Sequence, residues 1–345
     1  MASVLLPFSD EQLRVAANLE QHYDVWIETQ RSLFALPYGM QWKTVSKRDY
    51  LYEIMDRRGN GKSLGPRSPE TEELFVRYRA EKDTLGDRAK ASAARLQETC
   101  RLYRALRLPM IASEAAKILR EADRRSLLGS HLIVVGTNAM PAYALEAGGR
   151  FDQVPDETDD FDMAWSYDGT EPPLPGKTAT VWTMLKAVDA TYTINSERPF
   201  QARNASAYEF ELLSAGSRIE TMQRLDKPKP VPLPEQEWLL PGTRVSHVVV
   251  GRDGSPARIV APDPRWFALQ KLWMSAQEKR NPLKRTKDAI QGRALLDAIS
   301  THMRQFPLDD AFEESLPAEL QPSYREWREE SASDIEFAAP SWSDN

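Results

Sequence analysis

Two aspartates separated by one residue, Asp160 and Asp162 in the run TDDFD, have the spacing of a carboxylate pair on one face of a strand. Alternate side chains of an extended strand project to the same side, so both carboxylates can meet one cation while Phe161 and Met163 pack behind them. A hard divalent ion such as Mg²⁺ prefers oxygen ligands and typically binds one or two carboxylates together with substrate phosphates. The pair therefore predicts a metal site for a phosphorylated substrate.

A later run, YEFELL, alternates acids with apolar residues and supplies a candidate third acid. A carboxylate on a neighbouring strand would let a second ion bind about 3.5–4 Å from the first, near an attacking hydroxyl. We expect Glu211 to take this role, with Glu209, which shares its face, as the alternative. The two glutamates could instead form the wet face of a half-exposed strand.

Gly136 and Thr137 follow the apolar run HLIVV and are candidates for phosphate binding. Glycine lets the backbone approach a phosphate closely, and amides at the start of a following helix can donate hydrogen bonds to its oxygens. The Thr137 hydroxyl adds a donor. We therefore expect this turn to hold the phosphates of a substrate.

These motifs, in this order, resemble the glycine, Asp-x-Asp and third-acid motifs of the DNA polymerase beta-type nucleotidyltransferase superfamily. The closer resemblance is to a bacterial nucleotidyltransferase-like family of unknown substrate. It covers nearly the whole chain, through segments such as WKTVSKRDYLYEI, KSLGPRSPETE, VVGTNAMPAYALEAGGRF and PDPRWFALQKLWMSAQEKRNPLKRTKDAIQ. Two residues depart from the superfamily pattern: Thr137 stands where Gly or Ser is usual, and Glu211 stands where Asp is usual.

The resemblance implies an α+β fold with a small mixed sheet flanked by helices. It also implies a divalent metal, Mg²⁺ or Mn²⁺, held by Asp160, Asp162 and Glu211, and an NTP such as ATP as substrate. We therefore expect a metal-dependent enzyme that moves a nucleoside monophosphate from an NTP to a hydroxyl of RNA, protein or a small molecule. Two alternatives stay open: a non-catalytic member of the fold that holds nucleic acid or protein, and the toxin component of a toxin-antitoxin pair.

A basic segment follows the motifs. Between Arg265 and Arg293 there are eight Lys or Arg residues and two acids. The segment resembles the helical portion of toxin-type nucleotidyltransferases, in which basic residues face the triphosphate. The resemblance implies that Lys271, Arg280 and Lys287 lie near the triphosphate, where cations stabilise charge on the leaving pyrophosphate. They could instead form a solvated helix face or pair with the acidic tail.

Hydrophobic spacing, capping residues and composition predict four regions that position these motifs. They are a mainly helical N-terminal region (1–128) with a Gly/Lys loop near 56–68, a nucleotidyltransferase-like α/β core (129–262), a basic helical region (263–306) and an acidic, partly disordered tail (307–345). The Gly/Lys loop lacks the spacing of a P-loop, so we expect a substrate or nucleic-acid contact there, or a plain surface loop.

Individual elements follow from the same signals. Helices are predicted at about 10–36 after the cap Ser9, from the cap Ser68 to about 108, and at 113–127, 178–190, 266–276 and 284–302. Strands are predicted in HLIVV and at 161–165, 191–194, 208–213, 245–250 and 257–260. A short hairpin or exposed loop is predicted between Tyr38 and Ser68.

Several classes of protein are excluded by composition. Cys100 is the only cysteine, which excludes an intramolecular disulfide and a zinc site built from several thiolates. We expect no signal peptide and no membrane span, because the start lacks a basic region and no segment approaches ~18 uninterrupted apolar residues. A reducing cytoplasm fits this pattern, and the oligomeric state is not specified.

Overall fold

The computed structural model describes residues 5–56, 58–155, 160–170 and 180–338, and the side chains among them as far as residue 331. Strands in chain order are β1 Leu5–Pro7, β2 Gly39–Val45, β3 Arg48–Ile54, β4 Gly61–Pro66, β5 Met110–Ile111, β6 Leu132–Val134, β7 Gly149–Phe151, β8 Asp160–Trp165, β9 Thr193–Ile194, β10 Gln201–Arg203, β11 Glu209–Ser214, β12 Val231–Pro232, β13 Val245–Gly251 and β14 Pro256–Ala261. Helices are α1 Asp10–Ala35, α2 Pro69–Ala105, α3 Ser113–Arg124, α4 Met140–Glu146, α5 Val181–Val188, α6 Pro264–Ala276, α7 Pro282–His302, α8 Asp310–Ser315 and α9 Gln321–Ala338.

A mixed sheet in the order β6-β8-β11-β10-β9 forms the centre of the fold, with β12 pairing beside β11. Strand β11 runs parallel to β8 and β12, whereas the other pairs in this sheet are antiparallel. One side of β8 and β11 is buried completely, because Phe161, Met163, Phe210 and Leu212 alternate with the acids. This mixed sheet, with helices around it and helical regions at both ends, confirms the α+β class.

Beside this sheet, helices α6 and α7 pack closely against each other. Gly292 of α7 makes the close approach possible, because a Cβ there would come within 2.8 Å of the Ala268 carbonyl and of the Leu272 side chain. A second sheet, in the order β14-β13-β5, lies next to α3 and α4. The side chains of α3 belong to the same buried cluster as the central sheet, and the four-part division of the chain stays a prediction.

The N-terminal helices begin where their capping residues predict. The Ser9 and Ser68 side chains accept hydrogen bonds from the amides of Gln12 and Thr71, and both helices have reciprocal capping boxes. Across the described residues, the other predicted helices and strands also appear, with ends shifted by a few positions. No helix among the described residues is long and apolar enough to span a membrane.

The segment between Tyr38 and Ser68 contains more regular structure than the predicted hairpin or loop. Strands β2, β3 and β4 form an antiparallel sheet in which Gly61–Pro66, part of the expected Gly/Lys loop, pairs with β3. The sequence did not predict strand β4, because it contains Gly61 and Gly65 and glycine is normally depleted in strands. The loop is reduced to the turn near Asp56, of which Arg57 lies outside the described residues.

The acidic tail, predicted to be partly disordered, contains two helices. Residues 310–315 and 321–338 form α8 and α9, whereas 339–345 lie outside the described residues. Phe312, Leu316, Leu320, Tyr324 and Trp327 are buried in the main core. The acidic composition of this segment gave no indication that these apolar residues are buried. They pack against α6 and the end of α7.

Replacing Tyr324 should show that the tail is part of the core. Tyr324→Ala removes a ring that is 0% exposed and is expected to lower the free energy of unfolding by about 3–4 kcal/mol. Chemical denaturation measures the change. Glu326→Ala, at an exposed position on the same helix, is the control and should change stability by less than ~0.5 kcal/mol. Equal effects would show that α9 does not contribute to the core.

His247 on β13 connects the first helix to the core. Its Nδ1 lies 2.7 Å from Glu20 on α1, and its Nε2 lies 2.5 Å from Glu146 on α4. Burial opposes the charged form, but the hydrogen bonds to Glu146 and Glu20 outweigh it and raise the pKa of His247 to about 9. The pKa values of both glutamates are lowered by the same contacts. A charged imidazole between two carboxylates therefore stabilises this junction.

The stabilisation by His247 should depend on pH. Because its folded pKa is raised, the contribution is complete below the unfolded pKa of about 6.5 and is lost as the pH rises through about 9. His247→Gln is expected to cost roughly 1–2 kcal/mol at pH 7 and clearly less at pH 10. Urea unfolding at both pH values, with the exposed His302→Gln as control, measures this. A cost that does not change with pH would contradict a charged His247.

Candidate active site

Strands β8 and β11 bring the predicted acids together. Their parallel register sets Asp160 beside Glu209 and Asp162 beside Glu211. Since the intervening residues point into the core, the acids share the opposite face of the sheet. Asp160, Asp162 and Glu211 line one cleft, whereas Glu209 is ion-paired with Arg203 outside it.

This cleft has a volume of about 970 Å³, including the space at its open mouth, which is in the range of small-molecule sites. Its floor is the central sheet, and α6 and α7 form one wall. All eight predicted site residues line it: Gly136, Thr137, Asp160, Asp162, Glu211, Lys271, Arg280 and Lys287. The further polar residues in the lining are Glu235, Gln236, Gln270, Lys284 and Asp288. The apolar part of the lining consists of Val135, Phe200, Leu213, Val231, Leu233 and Met274.

The Gly136 turn connects β6 to α4 and faces Asp162. Gly136 has a φ of +68°, and a Cβ at this position would overlap the Asp162 carboxylate. The turn is tied to β8, because the Val135 amide donates to the Asp162 carbonyl at 3.1 Å and the Asn138 side chain donates to the Asp160 carbonyl at 3.0 Å. Only glycine meets both the backbone and the space requirement here.

Negative charge is concentrated around Asp162. Burial, followed by the charges of Asp160 and Glu211, raises the pKa of Asp162 to about 7, although Lys271 and Lys284 oppose the shift. The Lys284 amine donates to Asp160 at 3.1 Å. Burial works against its charge, but the bond to Asp160 and the nearby acids raise the pKa of Lys284. The acidic face therefore attracts cations.

The predicted cations meet at a buried aspartate. Asp288 of α7 is 0% exposed, accepts a hydrogen bond from Lys271 at 2.8 Å and also pairs with Arg280. Lys271 is itself buried, and this burial lowers its pKa although Asp288 opposes the shift. Lys287 lines the same cleft. The structure thus brings Lys271, Arg280 and Lys287 together with the acids, and Lys271 is a buried part of the cleft lining.

Sequence reasoning missed the side chain that holds Glu211. Gln201 of β10 is 1% exposed and donates to Glu211 at 3.0 Å and to Glu209 at 2.7 Å, while Asn195 donates to Gln201 at 2.6 Å. Strand β10 is three residues long, so it gives no periodic signal. Its antiparallel register, with Gln201 opposite Glu211, is what places the amide.

A second missed residue supports the Gly136 turn. Gln291 of α7 is fully buried and donates to the Thr137 hydroxyl at 3.4 Å and to the Pro155 carbonyl at 2.5 Å. It therefore ties the turn and the segment before β8 to the basic helices. A lone glutamine on a helix carries no signal of such a role.

No three His, Cys, Asp or Glu side chains in the described ranges already form a cluster that could hold a metal ion. The Glu211 carboxylate is held by Gln201, and that of Asp160 by Lys284. The oxygen donors are nevertheless side by side on adjacent strands, and burial together with the charges of Asp160 and Glu211 raises the pKa of Asp162. The donor set therefore fits a hard divalent ion that would take the place of the Lys284 amine.

Comparison with protein families adds to this geometry. A family model described as nucleotidyltransferase matches residues 113–317, more than half of the chain. The chain belongs to this nucleotidyltransferase family. The match begins at α3, ends just beyond α8 and includes the whole cleft. No curated protein and no solved structure is significantly similar to the chain. The family supports nucleotidyl transfer as the general activity.

Gly136 should be far less tolerant of substitution than another glycine with a similar backbone. Gly59 has a φ of +80° with open space around its Cβ position, whereas a Cβ at 136 meets Asp162. Gly59→Ala should cost about 1 kcal/mol for backbone strain alone. Gly136→Ala should cost about 2 kcal/mol more from the overlap with the carboxylate. Thermal or chemical unfolding measures both, and equal costs would mean that Asp162 does not pack against the turn.

Proposed function

We propose that the protein is a metal-dependent enzyme that transfers a nucleoside monophosphate from an NTP to a hydroxyl of RNA, protein or a small molecule. The observation that carries the proposal is the meeting of Asp160, Asp162 and Glu211 in one cleft with the Gly136 turn and a group of cations. Family membership supports nucleotidyl transfer, and the cleft geometry supports these residues as its machinery.

The carboxylates of Asp160 and Asp162 would hold Mg²⁺ or Mn²⁺, with Glu211 completing the set. A divalent ion bound there would neutralise charge on the triphosphate and lower the pKa of the acceptor hydroxyl. Oxygen-only donors match the preference of these ions. Gln201 would keep the Glu211 carboxylate oriented through its buried hydrogen bond.

Transfer requires the acceptor oxygen to bond to the α-phosphorus while the bond from that phosphorus to the bridging oxygen of pyrophosphate breaks. The acceptor proton would go to Glu211, which lies on the open face of β11. The amides of the Gly136 turn and the Thr137 hydroxyl would donate to phosphate oxygens. Pyrophosphate then leaves with the bonding electrons, and its negative charge has to be stabilised.

The stabilising charge would come from the helical wall. Lys284, which is half-exposed, lines the cleft together with Lys287 and Arg280. Lys271 would add its charge from a buried position in the same lining, where it is paired with Asp288. Cations preorganised in a partly desolvated cleft stabilise a leaving pyrophosphate more strongly than mobile surface cations. The apolar residues of the cleft lining, which include Phe200 and Met274, would offer a surface for the base or ribose.

The resemblance supports further parts of the proposal. We place the family within the DNA polymerase beta-type superfamily and propose a bacterial, cytoplasmic protein. Thr137 and Glu211 retain the donor and the acceptor that the superfamily motifs supply, so the departures at these positions preserve the required chemistry. A longer acid at 211 moves the carboxylate by about one methylene, which Gln201 would correct by fixing its position.

Incorporation of label from each α-³²P NTP in the presence of Mg²⁺, with total cellular RNA and protein as acceptors, tests the proposal. We expect incorporation by the native protein and a loss of about 10²-fold or more in Asp160→Ala and Asp162→Ala, because a bound metal contributes several kcal/mol to such a step. Chelation with EDTA should abolish it. Asp83→Ala, an exposed aspartate on α2, is the matched control and should retain activity.

Two results would contradict the proposal. Incorporation that survives both aspartate substitutions would show that another site carries the reaction. NTP binding in calorimetry without release of pyrophosphate, in the presence of RNA, protein and a small-molecule extract, would favour the non-catalytic alternative. Folding of each variant is checked by its unfolding temperature.

A further inference from the structure

The N-terminal sheet formed by β2, β3 and β4 has two unlike faces. One face packs on α2: Leu51 is 0% exposed, and the Trp42 ring meets Phe75 edge-on with centroids 5.9 Å apart. Leu51 and Trp42 are paired in register, so they lie on the same side of the sheet. This inner face belongs to the fold and is not available to a ligand.

The outer face includes Lys43, Arg48, Tyr50 and Tyr52, together with Gln41 and Val45. Arg48, Tyr50 and Tyr52 alternate along β3 and therefore project to the side opposite Leu51, and Lys43 is paired with Tyr50. The Lys43 amine lies 4.8 Å from the centre of the Tyr52 ring. Both rings are half-buried, whereas Arg48 is exposed.

Charge is strongly segregated in this segment. Residues 38–68 contain seven basic and three acidic residues, in a chain whose net charge is −6. Two of the acids, Asp49 and Glu53, project from the inner face by strand alternation. The third, Asp56, accepts hydrogen bonds from the amides of Arg58 and Asn60 in the turn. The outer face therefore carries lysine and arginine without a carboxylate of its own.

Aromatic rings interleaved with cations have a specific use. Tyr50 and Tyr52 are about 7 Å apart along the strand, which leaves room for each ring to stack on its own base. Lysine and arginine beside them can pair with the backbone phosphates. Duplex nucleic acid hides the faces of its bases, and an acidic peptide offers nothing to stack on the rings.

We propose that the outer face binds single-stranded nucleic acid. The interaction requires neither the cleft acids nor a nucleotide, so it stands or falls separately from nucleotidyl transfer. RNA and DNA share the required chemistry of open bases and a phosphate backbone, and the 2′-hydroxyl distinguishes them.

Fluorescence anisotropy with the full chain in EDTA, without NTP, tests the proposal. The probes are labelled 20-nucleotide single-stranded RNA and DNA, a 20-base-pair duplex and a polyglutamate peptide of similar charge. We expect both single strands to bind more tightly than the duplex or the peptide. Binding should weaken with salt, because phosphate contacts release counterions.

Variants assign the interaction to the outer face. Tyr50→Ala with Tyr52→Ala should weaken single-strand binding by about tenfold or more, since stacking contributes substantially for each base. Tyr50→Phe with Tyr52→Phe keeps both rings and should retain binding. Lys43→Glu should weaken binding and reduce its dependence on salt. Lys90→Glu, an exposed α2 lysine outside this sheet, makes the same charge change and should have little effect.

The phenylalanine pair and Lys43→Glu keep the test decisive even when the alanine pair unfolds. Equal binding of duplex and single strand, or a polyglutamate peptide that competes as well as RNA, would overturn the proposal. Equal weakening of binding by Lys43→Glu and Lys90→Glu would also overturn the proposal, because Lys90 lies outside this sheet. Loss of nucleotide incorporation with intact single-strand binding would contradict only the proposed enzymatic function.

Discussion

Parallel pairing of β8 with β11 is the constraint on which the candidate site depends. In-register parallel strands place Asp162 directly beside Glu211, and the buried aromatic residues between the acids prevent either strand from rotating. Burial, together with repulsion from Asp160 on the same strand and Glu211 on the adjacent one, accounts for the raised pKa of Asp162. The fold therefore places three carboxyl groups close together around Asp162, and a bound cation would reduce the repulsion among them.

The surrounding elements are arranged to balance that charge. Helices α6 and α7 bring cations to the acidic face, but the buried Asp288 holds Lys271 and Arg280 in place. A buried ion pair is weak evidence for stability and better evidence for fixed geometry. Gln201 and Gln291 do the same for Glu211 and the Gly136 turn through neutral hydrogen bonds. The acids, the Gly136 turn and the cations are each supported by a buried polar residue.

Regions away from the cleft contribute packing and surface to the protein. Helices α8 and α9 close the core below α6, so the acidic end of the chain is structural along most of its length. The sheet of β2, β3 and β4 lies on α2 with its basic, aromatic face turned away from that helix. Opposite charges on these two regions explain why the net charge of the chain says little about its partners.

Local patterns in the sequence determined most elements and the candidate acids. Capping boxes at Ser9 and Ser68 located α1 and α2, and alternation around Asp160 and Glu211 showed which side chains share a face. These features depend on neighbours within a few residues, so they can be read from the chain alone. The resemblance to nucleotidyltransferases drew on the same motifs.

Only the tertiary structure decided which strands pair, and therefore which acids share a cleft. It also revealed the hydrogen bond from Gln201 to Glu211, the ion pair between Lys271 and Asp288, and the burial of Tyr324 in an acidic segment. Each of these depends on contacts between residues far apart in the chain, whose register and packing leave no periodic trace in composition. The local spacing of residues therefore predicted the candidate acids, and the pairing of distant strands determined that these acids share one cleft.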